Sequence, residues 1–100
     1  MEISKAISLL EKEWEDGFFY KLRSGSVCEA DYHRCLEILS SVELTGQSHV
    51  ETRFVSLVWI IPSFINWQKD RLIESGVPEA SIDALIEEFE NRMELIFGMP

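Results

Sequence analysis

Three side chains able to hold a metal or carry a nucleophile stand close together: Cys28, His33 and Cys35. Structural zinc sites usually contain a close cysteine pair such as C-x-x-C, and none is present here. On a helix the two cysteines share a face, and His33 points away from it. Two packed thiols and a surface histidine are therefore the expectation, with no metal. Glu29 precedes His33 by four residues, not the three of the Glu-x-x-His motif of bundle di-iron sites. Ser24-Gly25-Ser26 is too short for a phosphate loop and lacks its lysine. No serine elbow or Cys/His nucleophile setting occurs. No enzyme and no cofactor are expected.

The acids are the other candidate. Glu79, Asp83, Glu87, Glu90 and Glu94 follow steps of four, four, three and four. At about 100° per residue they form a helix stripe roughly 80° wide, directly beside the apolar face. Like charges at this spacing repel by a few tenths of a kcal/mol per pair. Acids toward a helix end also oppose the macrodipole. The only base within this helix is Arg92, on the other side of the wheel. A strip that tolerates this repulsion suits a basic partner that covers it; a merely solvated acidic face is the plain alternative. Glu11, Glu13, Glu15 and Asp16 extend the field on the first helix, and Glu15 and Asp16 join the candidate binding residues. In Gly17-Phe18-Phe19-Tyr20, Phe18 continues the core stripe. Phe19 and Tyr20 project outward if the helix stays regular, as aromatic anchors rimmed by charge. A break at Gly17 would turn these rings inward.

Elements that position these residues follow from the apolar spacing. Ile3, Ile7, Leu10, Trp14 and Phe18 make one helical stripe that reaches Leu22 and stops at Arg23-Ser24-Gly25. A second helix runs from about Glu29 to Val42. Glu43 to Ser48 reads as a connection. The third begins near Ser48 to Glu51 and continues to about Glu74, with Trp59, Phe64 and Trp67 as its large core pieces. Pro62 kinks it, or splits it by standing in the first turn of a new helix. Its apolar run is shorter than the ~20 residues that span a bilayer, so no membrane segment is expected. Ser75-Gly76-Val77-Pro78 separates it from the last helix, Glu79 to Phe97. No period-two alternation competes. The fold class expected is all-α: one domain over residues 1–100, an antiparallel bundle of four helices, or five if Pro62 splits the third.

Eighteen acids against nine bases give a net charge of −9. Such a field repels nucleic acid and anionic lipid and draws basic partners. Cys28 and Cys35 lie about 10 Å apart along a helix, beyond disulfide reach. Two reduced thiols, and no signal-peptide pattern in MEISKAISLLEKEWE, point to the cytoplasm.

Size, charge and two acid-rich stretches, EKEWED (Glu11 to Asp16) and ALIEEFENRME (Ala84 to Glu94), carry a family-level resemblance. The chain resembles the small, acidic, helical immunity proteins that bacteria make against toxins of colicin and contact-dependent systems. Colicin-nuclease immunity proteins carry a Tyr-Tyr-Pro stretch in their third helix region; Trp59-Ile60-Ile61-Pro62 is the nearest counterpart here. No functional residue is carried over. The resemblance implies a class: one tight, basic, toxin-like protein partner, for example a nuclease, and no cofactor. A self-associating bundle, such as a homodimer, or an adaptor bundle is the rival reading.

Overall fold

In a computed structural model, residues 1–44 and 46–99 are described; Thr45, within the expected connection, and Pro100 lie outside them. Among the described residues every regular element is helical: α1 (Ile3–Glu15), α2 (Phe18–Arg23), α3 (Glu29–Ser40), α4 (Thr52–Val58), α5 (Ile61–Trp67), α6 (Lys69–Glu74) and α7 (Glu79–Phe97). Among the described residues no helix is long and apolar enough to cross a membrane.

The first expected helix is two. Asp16 and Gly17 both donate their N–H to the Lys12 carbonyl, at 3.0 and 3.1 Å, which closes α1. The chain restarts at Phe18, whose N–H donates to Glu13 Oε1 at 3.1 Å. Gly17 permits this return: a Cβ there would lie 2.0 Å from Glu13 Oε1 and 2.8 Å from Glu13 Cα. The break rotates α2 relative to the α1 stripe, so Phe18, Phe19 and Leu22 all turn inward.

The third expected helix is three short ones in a nearly continuous arm. Trp59 and Ile60 separate α4 from α5, and Gln68 alone separates α5 from α6. Pro62 stands in the first turn of α5, where its missing N–H is least costly. Phe54, Leu57, Val58, Ile61, Phe64, Ile65 and Leu72 enter the core. Trp59 and Trp67 do not, contrary to expectation; they are 56% and 66% exposed. With Ser63 they follow steps of four, on the face opposite Val58, Ile61 and Ile65.

The turn before α7 is as expected. Gly76 adopts φ +99°, and the Val77 N–H donates to the Leu72 carbonyl at 2.9 Å, sealing the end of α6. Ile82, Leu85 and Phe89 then face inward. One core cluster takes residues from all seven helices. The partly buried Trp14 stacks on the core ring of Phe19 with centroids 4.2 Å apart; Phe18, Phe64 and Phe89 adjoin that pair, and Tyr32 packs on Phe18 and Phe89. Phe54 meets Phe97, and Lys69 meets Glu79 and Asp83, so the α4–α6 arm is pinned to α7 at both ends.

Candidate functional site: the acidic face of the last helix

Helix α7 forms because nineteen residues from Glu79 to Phe97 contain no internal Gly or Pro and keep an apolar residue inward every three or four positions. Glu79, Asp83, Glu87, Glu90 and Glu94 are all exposed on it. They are not equivalent. Lys69 Nζ lies 3.2 Å from Glu79 and 2.9 Å from Asp83, and these carboxylates hold the ammonium above its ordinary pKa. The repulsion expected along the row is thus relieved at its first end by a base from α6. Hairpin geometry explains this: the turn at Gly76 folds α6 back beside the first turns of α7. Arg92, as expected, faces away from the row; it bridges Glu88 at 3.2 Å and donates to Ser40 Oγ on α3 at 2.5 Å. Glu87, Glu90 and Glu94 form no ion pair among the described residues. The two turns ending near the negative pole of the helix therefore carry three uncompensated carboxylates.

Glu15 and Asp16 are exposed at the end of α1. Helix α1 packs chiefly on α2, α3 and α4, whereas α7 packs on α3, α5 and α6. The two acid groups are carried by helices that are not principal neighbours. Asp16 instead borders an open groove of about 1070 Å³ between α1 and α3, where Lys12, Glu13, Arg34 and Glu37 also lie.

Phe19, an outward anchor only if the helix stays regular through Gly17, is wholly buried, and its place among the candidate binding residues is withdrawn. The break at Gly17 gives its ring to the core, beside Trp14, Phe18, Phe64 and Phe89. Tyr20 is half exposed, as the anchor reading requires. Glu13, expected in the solvated acidic field, is buried as well. Its carboxylate accepts from Arg34 Nε at 2.6 Å and Arg34 Nη2 at 2.8 Å, besides capping Phe18. Asp31, also buried, lies 2.5 Å from Lys21 Nζ and 2.9 Å from Arg34 Nη2. The hydrogen bond from Lys21 holds the Asp31 carboxyl below its ordinary pKa against the opposing effect of burial, and the same bond raises Lys21. This four-residue cluster ties the α1–α2 break to α3. Asp31 and Arg34 are an i,i+3 pair on α3, but the bridges Lys21–Asp31 and Glu13–Arg34 span ten and twenty-one residues, and no local spacing reveals those.

Cys28 is partly buried at the start of α3, and Cys35 is in the core; both are free thiols. Burial pushes the Cys35 thiol far above its ordinary range. His33 is exposed beside Tyr32. Among the described residues no three His, Cys, Asp or Glu side chains converge to hold a metal ion. No family model, curated protein or solved structure matches the chain.

Proposed function

We propose that this chain is an acidic protein-binding module that neutralises a basic protein partner. The most specific form of the proposal is an immunity protein that blocks a toxin such as a nuclease, whose substrate groove is basic. One observation carries it: among the described residues Glu87, Glu90 and Glu94 stand exposed and without an ion pair on one helix face, while Glu79, Asp83 and Glu88 are bridged. A carboxylate row of this kind steers a cationic surface toward it, and the effect weakens as salt screens it. In this reading α1–α2, α3, the α4–α6 arm and α7 act as four antiparallel layers. Their core fixes the row in one geometry, so little order is lost on binding.

The row, not the whole acid stripe, is the part to perturb. Reversing Asp83 would set a new lysine against Lys69 and confuse binding with stability. The test is capture of partners from the native cell lysate at low salt by the wild type and by the Glu87→Lys, Glu90→Lys, Glu94→Lys variant. A single basic protein, retained by the wild type and lost by the variant, is the expected outcome. Equal capture by both removes the row from the account.

Self-association is the second reading, favoured by the exposure of Trp59, Trp67, Leu95 and Met99. Apolar association of that kind persists as ionic strength rises, which separates it from charge steering.

A further inference from the structure

Most bases of this acidic chain are spent on its own carboxylates: Lys21, Arg53 and Arg92 bridge one each, and Arg34 and Lys69 two each. Arg23 and Arg71 bridge none among the described residues, yet they meet. Arg71 Nη1 donates to the Arg23 carbonyl, and the Arg23 guanidinium lies over the Phe64 ring, 5.5 Å from its centroid. Phe64, Trp67 and Arg71 follow steps of three and four along α5 and α6, so they share one face. Two members of that face, Phe64 and Arg71, reach Arg23, and Trp67 lies between these two in sequence. Tyr20 is one turn before Arg23 on α2. Both rings are exposed, Tyr20 by 50% and Trp67 by 66%.

Aromatic and arginine side chains are the types that carry binding energy at interfaces. Here two arginines meet on a chain of net charge −9, with the exposed Asp70 and Glu74 beside Arg71 on α6. Among the described residues no carboxylate bridges the stacked Arg23, and a planar fork of donors suits a carboxylate. We propose that Tyr20, Arg23, Trp67 and Arg71 form a second docking surface, which takes an acidic segment of a protein partner. A carboxylate of that segment is received by Arg23 and Arg71, and its apolar stems lie on Trp67 and Tyr20. The long-range field opposes an acidic occupant, so the contact must be a short-ranged one. This surface is independent of the carboxylate row on α7.

The probe is a blocked hexapeptide of alternating glutamate and leucine, with the lysine–leucine peptide as its counterpart. Binding is followed by the indole N–H signals in NMR, assigned with Trp59→Phe and Trp67→Phe. Trp14, whose Nε1 donates to the Leu57 carbonyl at 3.0 Å, is the internal reference. The acidic peptide should move the Trp67 signal saturably and leave Trp14 still. The double variant Arg23→Gln, Arg71→Gln should weaken this binding by roughly threefold to tenfold, the loss of one charge-assisted contact at an exposed site. Tyr20→Ala, read by calorimetry, should weaken it too, and it leaves both guanidinia in place. No saturable shift at Trp67 would overturn the assignment. So would equal affinity in the double variant, an equal response to the lysine peptide, or a Trp67 shift with protein concentration alone, which would give the patch to a second copy of the chain. The α7 row variant should bind the acidic peptide at least as well as the wild type, so the two surfaces are judged separately.

Discussion

Glu13 is the residue whose loss should cost most for the least change in apolar volume. Its carboxylate is 3% exposed and accepts three hydrogen bonds, two from Arg34 and one from the buried N–H of Phe18. In Glu13→Ala the Phe18 N–H loses its acceptor, a penalty of about 1–3 kcal/mol. The charge-assisted bonds to Arg34 are lost as well. Arg34 is half exposed and can return to water, so that part is discounted well below the 3–5 kcal/mol of a fully buried pair. The total is about 2–4 kcal/mol, against a whole-domain stability of about 5–15 kcal/mol. At about 4–8 °C per kcal/mol for a domain of this size, the thermal midpoint should fall by roughly 8–32 °C. Urea unfolding followed by far-ultraviolet circular dichroism measures the change. Glu11→Ala is the control, because Glu11 pairs with Arg53 at 2.8 Å with both side chains exposed, and such pairs are worth about 0–1 kcal/mol. Glu13→Gln keeps an acceptor for Phe18 and should fall between the two. A Glu13→Ala loss no larger than that of Glu11→Ala would refute the reasoning.

Other expectations can be checked with the same unfolding assay or simple chemistry. Phe19→Ala should cost about 3–5 kcal/mol, whereas Trp67→Ala should stay within about 0.5 kcal/mol, because the first ring is core and the second is not. Asp31 has a folded pKa below its ordinary 3.8, so its contribution is complete above that value. As pH falls through and below 3.8 the unfolded chain takes up the proton first and stability is lost; Asp31→Asn should flatten this part of the pH profile. Lys21 is raised above its ordinary 10.5, so its contribution is present below that pH and is lost as pH rises beyond it. A water-soluble thiol reagent should modify Cys28 in the native protein, while Cys35 should react only as the core opens.

Much of the helical framework was legible because its signals are local. Ser75-Gly76-Val77-Pro78 marks the start of α7, and the spacing of Ile82, Leu85 and Phe89 marks its inner face. The acid row could be read with the same wheel, and the exposed positions agree with it. Gly17 shows where local reading stops. The apolar stripe continues in phase from Trp14 to Phe18, but a carboxylate from the preceding turn caps a new helix there, and Phe19 changes sides. The Glu13–Arg34 and Lys69–Asp83 pairs depend on which helices become neighbours. The second was within reach, since residues flanking a tight helix–helix turn come together. Trp59 and Trp67 were misplaced for a different reason. The segment is so apolar that composition suggested burial all round, while the step of four shared with Ser63 placed both rings on the outer face.

The most direct test of the binding account compares two charge reversals of equal size at different places. One carries Glu87→Lys, Glu90→Lys and Glu94→Lys on α7; the other carries Glu29→Lys, Glu37→Lys and Glu43→Lys, exposed positions within and just beyond α3. Both change the net charge by the same amount. The measurement is the association rate of the captured basic partner with each variant and the wild type, across a range of salt. The account predicts that the α7 variant associates at least tenfold more slowly at low salt and loses most of the salt dependence, while the α3 variant stays within about threefold of the wild type. Equal slowing in both variants would show that net charge alone attracts the partner, and would contradict the claim that the row on α7 is its docking face.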